Sequence, residues 1–505
     1  MPISFTVIDL FILVLSLVAL RWFAKRAPLP LPPGPKGWPL IGNLLDMPND
    51  DFAKTYTEWA RMYGSIVYAN VAGQPLVILS DIEVANELLD KKSAIYSDRP
   101  VLEMAGELAG FKNWTGFLTY GPRWKESRKF MHHAIGTRES LAEFSSLFES
   151  ANRKLMKEAL CDPENLERHI RYSAGTIITR IAYGYQAEEK DDPIIALAES
   201  AMRNFTQLRN PGTHLVDFIP LLKYVPPWFP GAGFKRMASE AKQLLQENAD
   251  KPFHLTMQEM ARGKAPASLV SKNMKDSSLT EAEKDCLKWA ASSLYSGGAD
   301  TTVGALSIFF FAMTHYPEVQ RKAQEEIDRV VGSDRLPTLA DRGKSPYISA
   351  LLNEVYRWRP VVSTAFPHRT TTADTYKGYY IPKGTIIVPN LWQMTHDPHV
   401  YSNPDVFSPE RFLEKDGKVA ERNPRACVFG FGRRICPGLQ FTDVTVWLGI
   451  AMALSVFQIS KVDEESTEAI PYGPKASVFT GRPQPFKCRL NPRSTKAKEL
   501  ILELS

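Results

Sequence analysis

Phe429-Gly430-Phe431-Gly432-Arg433-Arg434-Ile435-Cys436-Pro437-Gly438 is the run from which the rest of the chain is best read. Two glycines before the cysteine and one after it let the backbone wrap close to a flat ligand. Pro437 removes a backbone donor and directs the chain into an apolar helix expected over Val444 to Leu454. A cysteine just ahead of a helix N-terminus, with Arg433 and Arg434 beside it, is expected to favour its thiolate. Such a sulfur serves as a nucleophile or a metal ligand. The bland alternative is a buried, inert cysteine.

Upstream, Thr280 and Glu283 form a capping box. Helical spacing then continues to about Met313 before Pro317 stops it. The stretch from Ala305 to Phe311 is apolar except for Ser307, so this helix is expected to cross the interior. In its middle, Gly297 and Gly298 cost about 1 kcal/mol each against alanine. That cost implies a close approach or a bend. Asp300-Thr301-Thr302 follow at once, an acid and two hydroxyls able to pass protons, or merely a polar turn of helix. Glu354 and Arg357 share one helical face, as do Trp124 and Arg128. Strand signals are few: Ile66 to Val71 with Leu76 to Leu79, and Tyr379 to Ile381 with Thr385 to Val388, each expected as a hairpin.

These segments together resemble the cytochrome P-450 family of haem-thiolate monooxygenases. Phe429-x-x-Gly432-x-Arg434-x-Cys436-x-Gly438 is similar to the family's haem loop, and Gly297 to Thr302 to its oxygen-activation segment. Glu354-x-x-Arg357 with Pro409-Glu410-Arg411-Phe412 resembles its buried acid–arginine network, and Trp124-x-x-x-Arg128 its propionate-holding pair. The resemblance, from Pro32 onward, implies a mainly α fold with small β-sheets: a triangular, helix-rich domain with a long central helix. It implies haem b, with Cys436 as the axial iron ligand and Phe429, Gly430 and Gly438 shaping the loop. Trp124, Arg128, Arg434 and His368 would meet the propionates, although His368 reads nearly as well as an ordinary packed histidine. Asp300, Thr301 and Thr302 would carry protons, and Glu354, Arg357 and Arg411 would be structural. The substrate pocket would draw on Val362, Thr364, Ser293, Gly297 and Phe479, with no charge selecting its occupant. Only 69 residues follow Cys436, too few for a fused flavin domain. NADPH electrons would therefore come from a separate cytochrome P-450 reductase, with cytochrome b5 as a further donor. Lys125, Lys129, Arg425 and Arg433 would receive it. The texture is most similar to fungal members of secondary metabolism acting on lipophilic small molecules.

Composition agrees with one large globular unit. The chain has 505 residues, 44% of them hydrophobic, which excludes disorder. A net charge of +5 is too balanced for a nucleic-acid binder, and five scattered cysteines exclude a disulfide scaffold. Ile3 to Leu20 is a mostly apolar run followed by Arg21, Lys25 and Arg26. This pattern predicts a single-pass anchor in residues 1–27 with the rest cytosolic, as at the endoplasmic reticulum. An interfacial helix fits Asp9 as well. Residues 28–43 read as a stiff proline-rich hinge, and 44–505 as the catalytic domain. Val216 to Gly231 reads either as a bilayer-dipping segment or as a packed loop. Two other function classes share the haem reading: an isomerase or dehydratase that needs no dioxygen, and a non-catalytic membrane haem protein. The Asp300-Thr301 pair counts against the first, and turnover with reductase would exclude the second.

Overall fold

The computed structural model describes residues 29–48, 51–188, 191–209, 213–414, 417–462 and 486–502. The expected anchor at 1–27 and the pocket residue Phe479 lie outside the described residues. The helices that place the site are α1 (Pro122–Ile135), α2 (Leu166–Tyr183), α3 (Pro193–Leu208), α4 (Glu281–His315), α5 (Pro346–Trp358) and α6 (Leu439–Val456). Helix dominates, and the sheets are small.

The 35-residue α4 starts where its capping box predicts: the Glu283 N–H donates to Thr280 Oγ1 at 3.3 Å and the Thr280 N–H to Glu283 Oε2 at 2.8 Å. Its second half is buried on nearly every face, including Phe309, Phe310 and Phe311. Each such aromatic contributes about 1.5–3 kcal/mol through lost water contact. Around it pack α1, α2 and α6. Helix α6 is long and apolar enough to cross a membrane, yet it is mostly buried inside the fold. Its almost unbroken apolar surface reflects packing on all sides.

The strands hold one flank. β1 (Ile66–Val71) and β2 (Gln74–Leu79) form the expected antiparallel hairpin. Further along the chain lie β3 (His368–Arg369), β4 (Asp374–Tyr376), β5 (Tyr379–Ile381) and β6 (Ile386–Pro389). The expected hairpin between β5 and β6 does not form. β5 pairs with β4 across Lys377-Gly378, both at positive φ, the two-residue loop whose twist suits antiparallel strands. β6 instead runs parallel to β2 and antiparallel to β3, giving the order β1-β2-β6-β3. Ile387 and Val388 are thereby buried in the larger sheet, which outweighs a local turn. The proline-rich segment from Leu29 is laid along these strands: Pro33 and Pro30 carbonyls accept from the Tyr68 and Tyr380 N–H groups at 2.9 and 2.8 Å.

Candidate functional site

The cysteine loop is fixed from both sides. The Cys436 N–H donates to the Phe429 carbonyl at 2.7 Å, and Gly438 is the N-cap of α6. Gly432 has φ +51, and a Cβ there would stand 2.3 Å from the Leu89 carbonyl oxygen. Backbone meets backbone at that point, so only glycine fits. Burial pushes the Cys436 thiol up, against the opposing pull of the Gly438 N–H and the Arg128 charge. The sequence predicts a thiolate favoured by Arg433 and Arg434, and here the structure differs. Arg433 donates to Tyr120 Oη at 2.6 Å, while Arg434 turns to the Ser97 and Leu118 carbonyls at 2.7 and 2.8 Å.

Cys436 opens into a cavity of about 770 Å³. Phe429, Gly430, Trp124, Arg128, His368 and Arg434 border the same space. Gly438 lies just behind it, where a Cβ would sit 3.8 Å from Cys436 Sγ. Two guanidinium groups lie near the Trp124 ring, Arg434 4.6 Å and Arg128 5.9 Å from its centre. Arg99, which the sequence reading did not single out, joins them. It donates to the Gly116, Phe366 and Pro367 carbonyls. Burial and the like charge of Arg434 bring Arg99 down to about 9, and burial brings Arg434 down to about 10. Among the described residues none of the three is ion-paired, and Arg434 Nη1 has no hydrogen-bond partner. His368 is buried, and its Nδ1 lies 2.8 Å from the Tyr96 carbonyl. A carbonyl only accepts, so the ring proton sits on Nδ1 and leaves Nε2 an acceptor. Burial, then the Arg99 charge, holds this ring well below the usual histidine range.

Helix α4 forms the facing wall. Gly297 faces open space, whereas a Cβ on Gly298 would come 2.7 Å from Ile178 Cδ1 of α2. The close approach implied by the glycine pair is therefore made by Gly298 alone. Thr301 Oγ1 donates to the Gly297 carbonyl at 2.8 Å. Asp300 is paired with Arg171 of α2, Nη1 to Oδ1 at 2.5 Å, and both line the cavity. Thr302, expected to act with them, does not reach the cavity. It is buried, and its hydroxyl has no partner among the described residues. Successive helical residues point about 100° apart, which turns Thr302 into the core.

Of the expected pocket residues, Ser293, Gly297 and Val362 line the cavity. Ser293 Oγ is engaged by the Thr115 N–H and the Trp289 carbonyl at 2.9 and 2.6 Å. Thr364 is buried outside it, because the chain there turns Val361, Val362, Ala365 and Phe366 inward instead. The sequence reading singles out no charge that selects the occupant, whereas the structure brings charged residues of α3 and its end to the cavity. Glu199, Arg203 and Arg209 border the cavity together with Arg171 and Asp300. Arg99, Arg171 and Arg209 carry no local motif; only tertiary placement marks them out.

Behind the cysteine loop, Glu354 accepts two 2.7 Å bonds from Arg357 and a 3.3 Å bond from Arg411, with the Ser408 N–H at 2.8 Å. Arg357 also reaches the Thr395, Pro404 and Val406 carbonyls. Glu354 and Arg357 are both wholly buried. Burial drives the Glu354 carboxyl up, while the two arginines pull the other way.

A glycine-rich cysteine loop facing a long helix across a cavity, with cations gathered at its edge, is the architecture of a haem-thiolate protein. The chain belongs to the cytochrome P450 family, whose model matches residues 32–489. It is 46% identical to cytochrome P450 monooxygenase 208 of Postia placenta, over 94% of this chain and 92% of that one. It is also 46% identical to cytochrome P450 monooxygenase claR of Ampulloclitocybe clavipes, over 93% and 88% of the two chains. Monooxygenase ppsD of Aspergillus oryzae is 40% identical over 95% and 93%. The chain is thus an oxidoreductase of the monooxygenase type.

The residues present fit the family's haem-thiolate group. Three arginines without ion-pair partners among the described residues, one with an orphaned buried nitrogen, suit its two carboxylates. Cys436 offers the sulfur, and Gly297 leaves the opposite wall open.

Proposed function

We propose that this monooxygenase uses dioxygen and NADPH electrons to hydroxylate or oxidise a lipophilic small molecule of fungal secondary metabolism. The observation that carries the reading is the convergence of Arg99, Arg128, Arg434 and Cys436 on one cavity opposite Asp300 and Thr301. Haem b bound through Cys436 supplies iron that activates dioxygen, and a thiolate ligand favours O–O cleavage. Arg434, Arg128 and Arg99 would hold its carboxylates, the first two set beside the Trp124 ring. His368 packs beside them, and its Nε2 needs a second proton before it can donate to a carboxylate. Phe429, Gly430 and Gly438 shape the loop, and Glu354, Arg357 and Arg411 brace it from behind. Asp300 and Thr301 move protons into the cavity, which reductive chemistry consumes. Gly297 leaves room for dioxygen, and Val362 and Phe366 offer an apolar wall to substrate.

Electrons arrive from a separate NADPH–cytochrome P-450 reductase, with cytochrome b5 as a further donor. Exposed Lys125, Lys129 and Arg433 support a basic docking face, whereas Arg425 is committed to Asp443. Residues 1–27 anchor the chain in the endoplasmic reticulum membrane, residues 28–43 join anchor to body, and 44–505 form the cytosolic catalytic domain. An apolar strip supports the membrane seat: Leu215, Leu221, Tyr224 and Trp228 are 69%, 74%, 74% and 80% exposed. Such exposure is the mark of a surface that meets lipid or protein.

The test is the carbon monoxide difference spectrum of dithionite-reduced protein. A strongly red-shifted Soret band, lost in Cys436→Ala, supports the assignment; folded wild-type protein without that band overturns it.

A further inference from the structure

The chain enters the cysteine loop through a short helix, Arg425–Val428, and leaves it through α6. Asp443 lies on the second turn of α6, one residue beyond Thr442, which borders the cavity. Asp443 itself does not line that space, and its side chain is 4% exposed. One carboxylate oxygen accepts from Arg425 Nη2 and the other from Arg342 Nη2, so two guanidinium groups share it. Arg425 belongs to the incoming arm of the loop, and Arg342 to the short helical segment Leu339–Lys344 ahead of α5. The Arg342 and Arg425 side chains are 17% and 21% exposed, so dissolved salt screens the triad only weakly.

Two routes lead from this triad to the sulfur. The first is the chain itself. Arg425–Val428 runs straight into Phe429, whose carbonyl accepts the Cys436 N–H at 2.7 Å. Asp443 therefore ties the incoming arm of the loop to the outgoing one. The second route is charge. The Arg425 guanidinium lies 5.6 Å from the centre of the Tyr356 ring, and that ring meets Phe429 edge-on with centres 5.3 Å apart. Tyr356, Phe429 and Cys436 border one cavity. Burial, then Asp443, raises the Tyr356 phenol; Arg425 and Arg342 oppose this, and the cysteine adds to it. A single side chain thus stands in the field of the triad and of the sulfur together.

We propose that Asp443 is a positioning residue for the monooxygenase reaction: it pins the two arms of the cysteine loop through Arg425 and, by neutralising arginine charge behind that loop, holds the haem reduction potential down. This rests on the haem-thiolate reading of Cys436 and adds to it a determinant of the electron-transfer step. That step is the one-electron reduction of iron(III) to iron(II), with the electron supplied by the NADPH-dependent reductase. It lowers the charge of the site by one, so added positive charge behind the sulfur favours it and removed positive charge opposes it. A unit charge at about 10 Å, in a medium of effective dielectric about 20, changes a one-electron equilibrium by about tenfold.

The test is a spectroelectrochemical titration of the haem-loaded full-length protein under argon. Asp443→Asn is expected to shift the reduction equilibrium towards iron(II) by at least about threefold, and Asp443→Glu to stay near wild type. Arg425→Gln and Arg342→Gln, which each leave Asp443 one arginine, are expected to shift it towards iron(III) by at least about twofold. Asp443→Asn combined with Arg425→Gln should return towards wild type. Loosening of the loop alone would move the acid and arginine variants in the same direction, so shifts of one sign overturn the proposal. Unchanged equilibria in the folded variants overturn it as well. Where Asp443→Asn does not fold, the two arginine variants decide: a shift towards iron(III) supports the proposal, and no shift or the opposite one overturns it. The carbon monoxide band of the wild type is recorded on the same samples. Its absence counts against the haem-thiolate reading, while a normal band with shifts of one sign, or none, counts against the role of Asp443 alone.

Discussion

Arg171 and Asp300 are joined across two helices, Nη1 to Oδ1, while the other terminal nitrogen of Arg171 holds Glu167 at 3.1 Å. The only acid of the central helix that lines the cavity is thus tied to a chain of charge leading outward along α2. Burial alone would lower Arg171, but Asp300, helped by Glu167 and Glu199, offsets it and holds the guanidinium above its ordinary value. Removing the acid tests its role in proton movement. Asp300→Asn is expected to lower product turnover by about 100-fold with a raised solvent deuterium isotope effect. Arg171→Gln, which keeps the acid, loses less. Unchanged turnover and isotope effect in Asp300→Asn would remove the assigned role.

Thr301 has its hydroxyl on the Gly297 carbonyl, one turn back, and beside the cavity. Thr301→Ala should consume NADPH at a near-normal rate while releasing hydrogen peroxide instead of product. Thr302→Val should change little, since that hydroxyl faces the core. Peroxide and product assays on the two variants check the contrast. Equal coupling in both would contradict the separation the helix makes between neighbouring threonines.

The cofactor's grip is predicted to be unequal. Arg434→Ala removes a buried charged donor worth about 1.5–3 kcal/mol, and haem transfer to apomyoglobin should quicken by at least about tenfold. His368→Phe removes an Nδ1–H bond to Tyr96 but no donor available to a carboxylate. Its haem loss should stay within about threefold of wild type. A larger effect for His368→Phe than for Arg434→Ala would reverse the ranking.

Glu354→Ala leaves the buried charges of Arg357 and Arg411 beside each other with no carboxylate between them. Breaking a buried ion pair this way costs about 3–5 kcal/mol. Thermal unfolding should fall sharply and the carbon monoxide band should be reduced with it. Arg357→Lys should recover little, because a single ammonium cannot replace a fork that spans both carboxylate oxygens and three carbonyls. A wild-type melting temperature in Glu354→Ala would show the network to be dispensable.

The two helical glycines should part company. Gly297→Ala meets nothing within contact distance and should gain about 0.5–1 kcal/mol of helix stability. Gly298→Ala gains the same propensity but must displace the tip of Ile178, so its melting temperature should rise less. Because the added methyl of Gly297→Ala enters the cavity, it should also reduce coupling. Calorimetry and product assays on both variants check the pair.

What the sequence made legible was whatever has a local cause. The capping box at Thr280 set the start of α4, and the apolar run set its passage through the core. The expected hairpin takes Pro382 to Gly384 as its turn, and it does not form. The tighter loop at Lys377-Gly378, and the burial of β6 between β2 and β3, decided otherwise. At the site, Cys436, Arg434, Trp124 and Arg128 were visible because their spacing is fixed within one loop or one helix. Arg99, Arg171 and Arg209 come from three separate segments, and only packing brings them to one cavity. Thr302 and Thr364 show the converse: a neighbour in sequence need not share the face that lines the cavity.

If it meets lipid as proposed, the exposed strip that includes Leu215, Leu221, Tyr224 and Trp228 would change what concentration means for such an enzyme. Its packed side, through Val216, belongs to the same cluster as Phe205 and Trp114 of the cavity wall. Seated on acyl chains as proposed, the protein would sample solute dissolved in the leaflet instead of in water. Each methylene on a substrate adds about 0.8 kcal/mol to its preference for that phase. Apparent Michaelis constants would then scale with the lipid-to-water ratio of the assay, and diffusion in two dimensions would govern encounter. Selection between long and short congeners would begin in the bilayer, ahead of any contact with Val362 or Phe366.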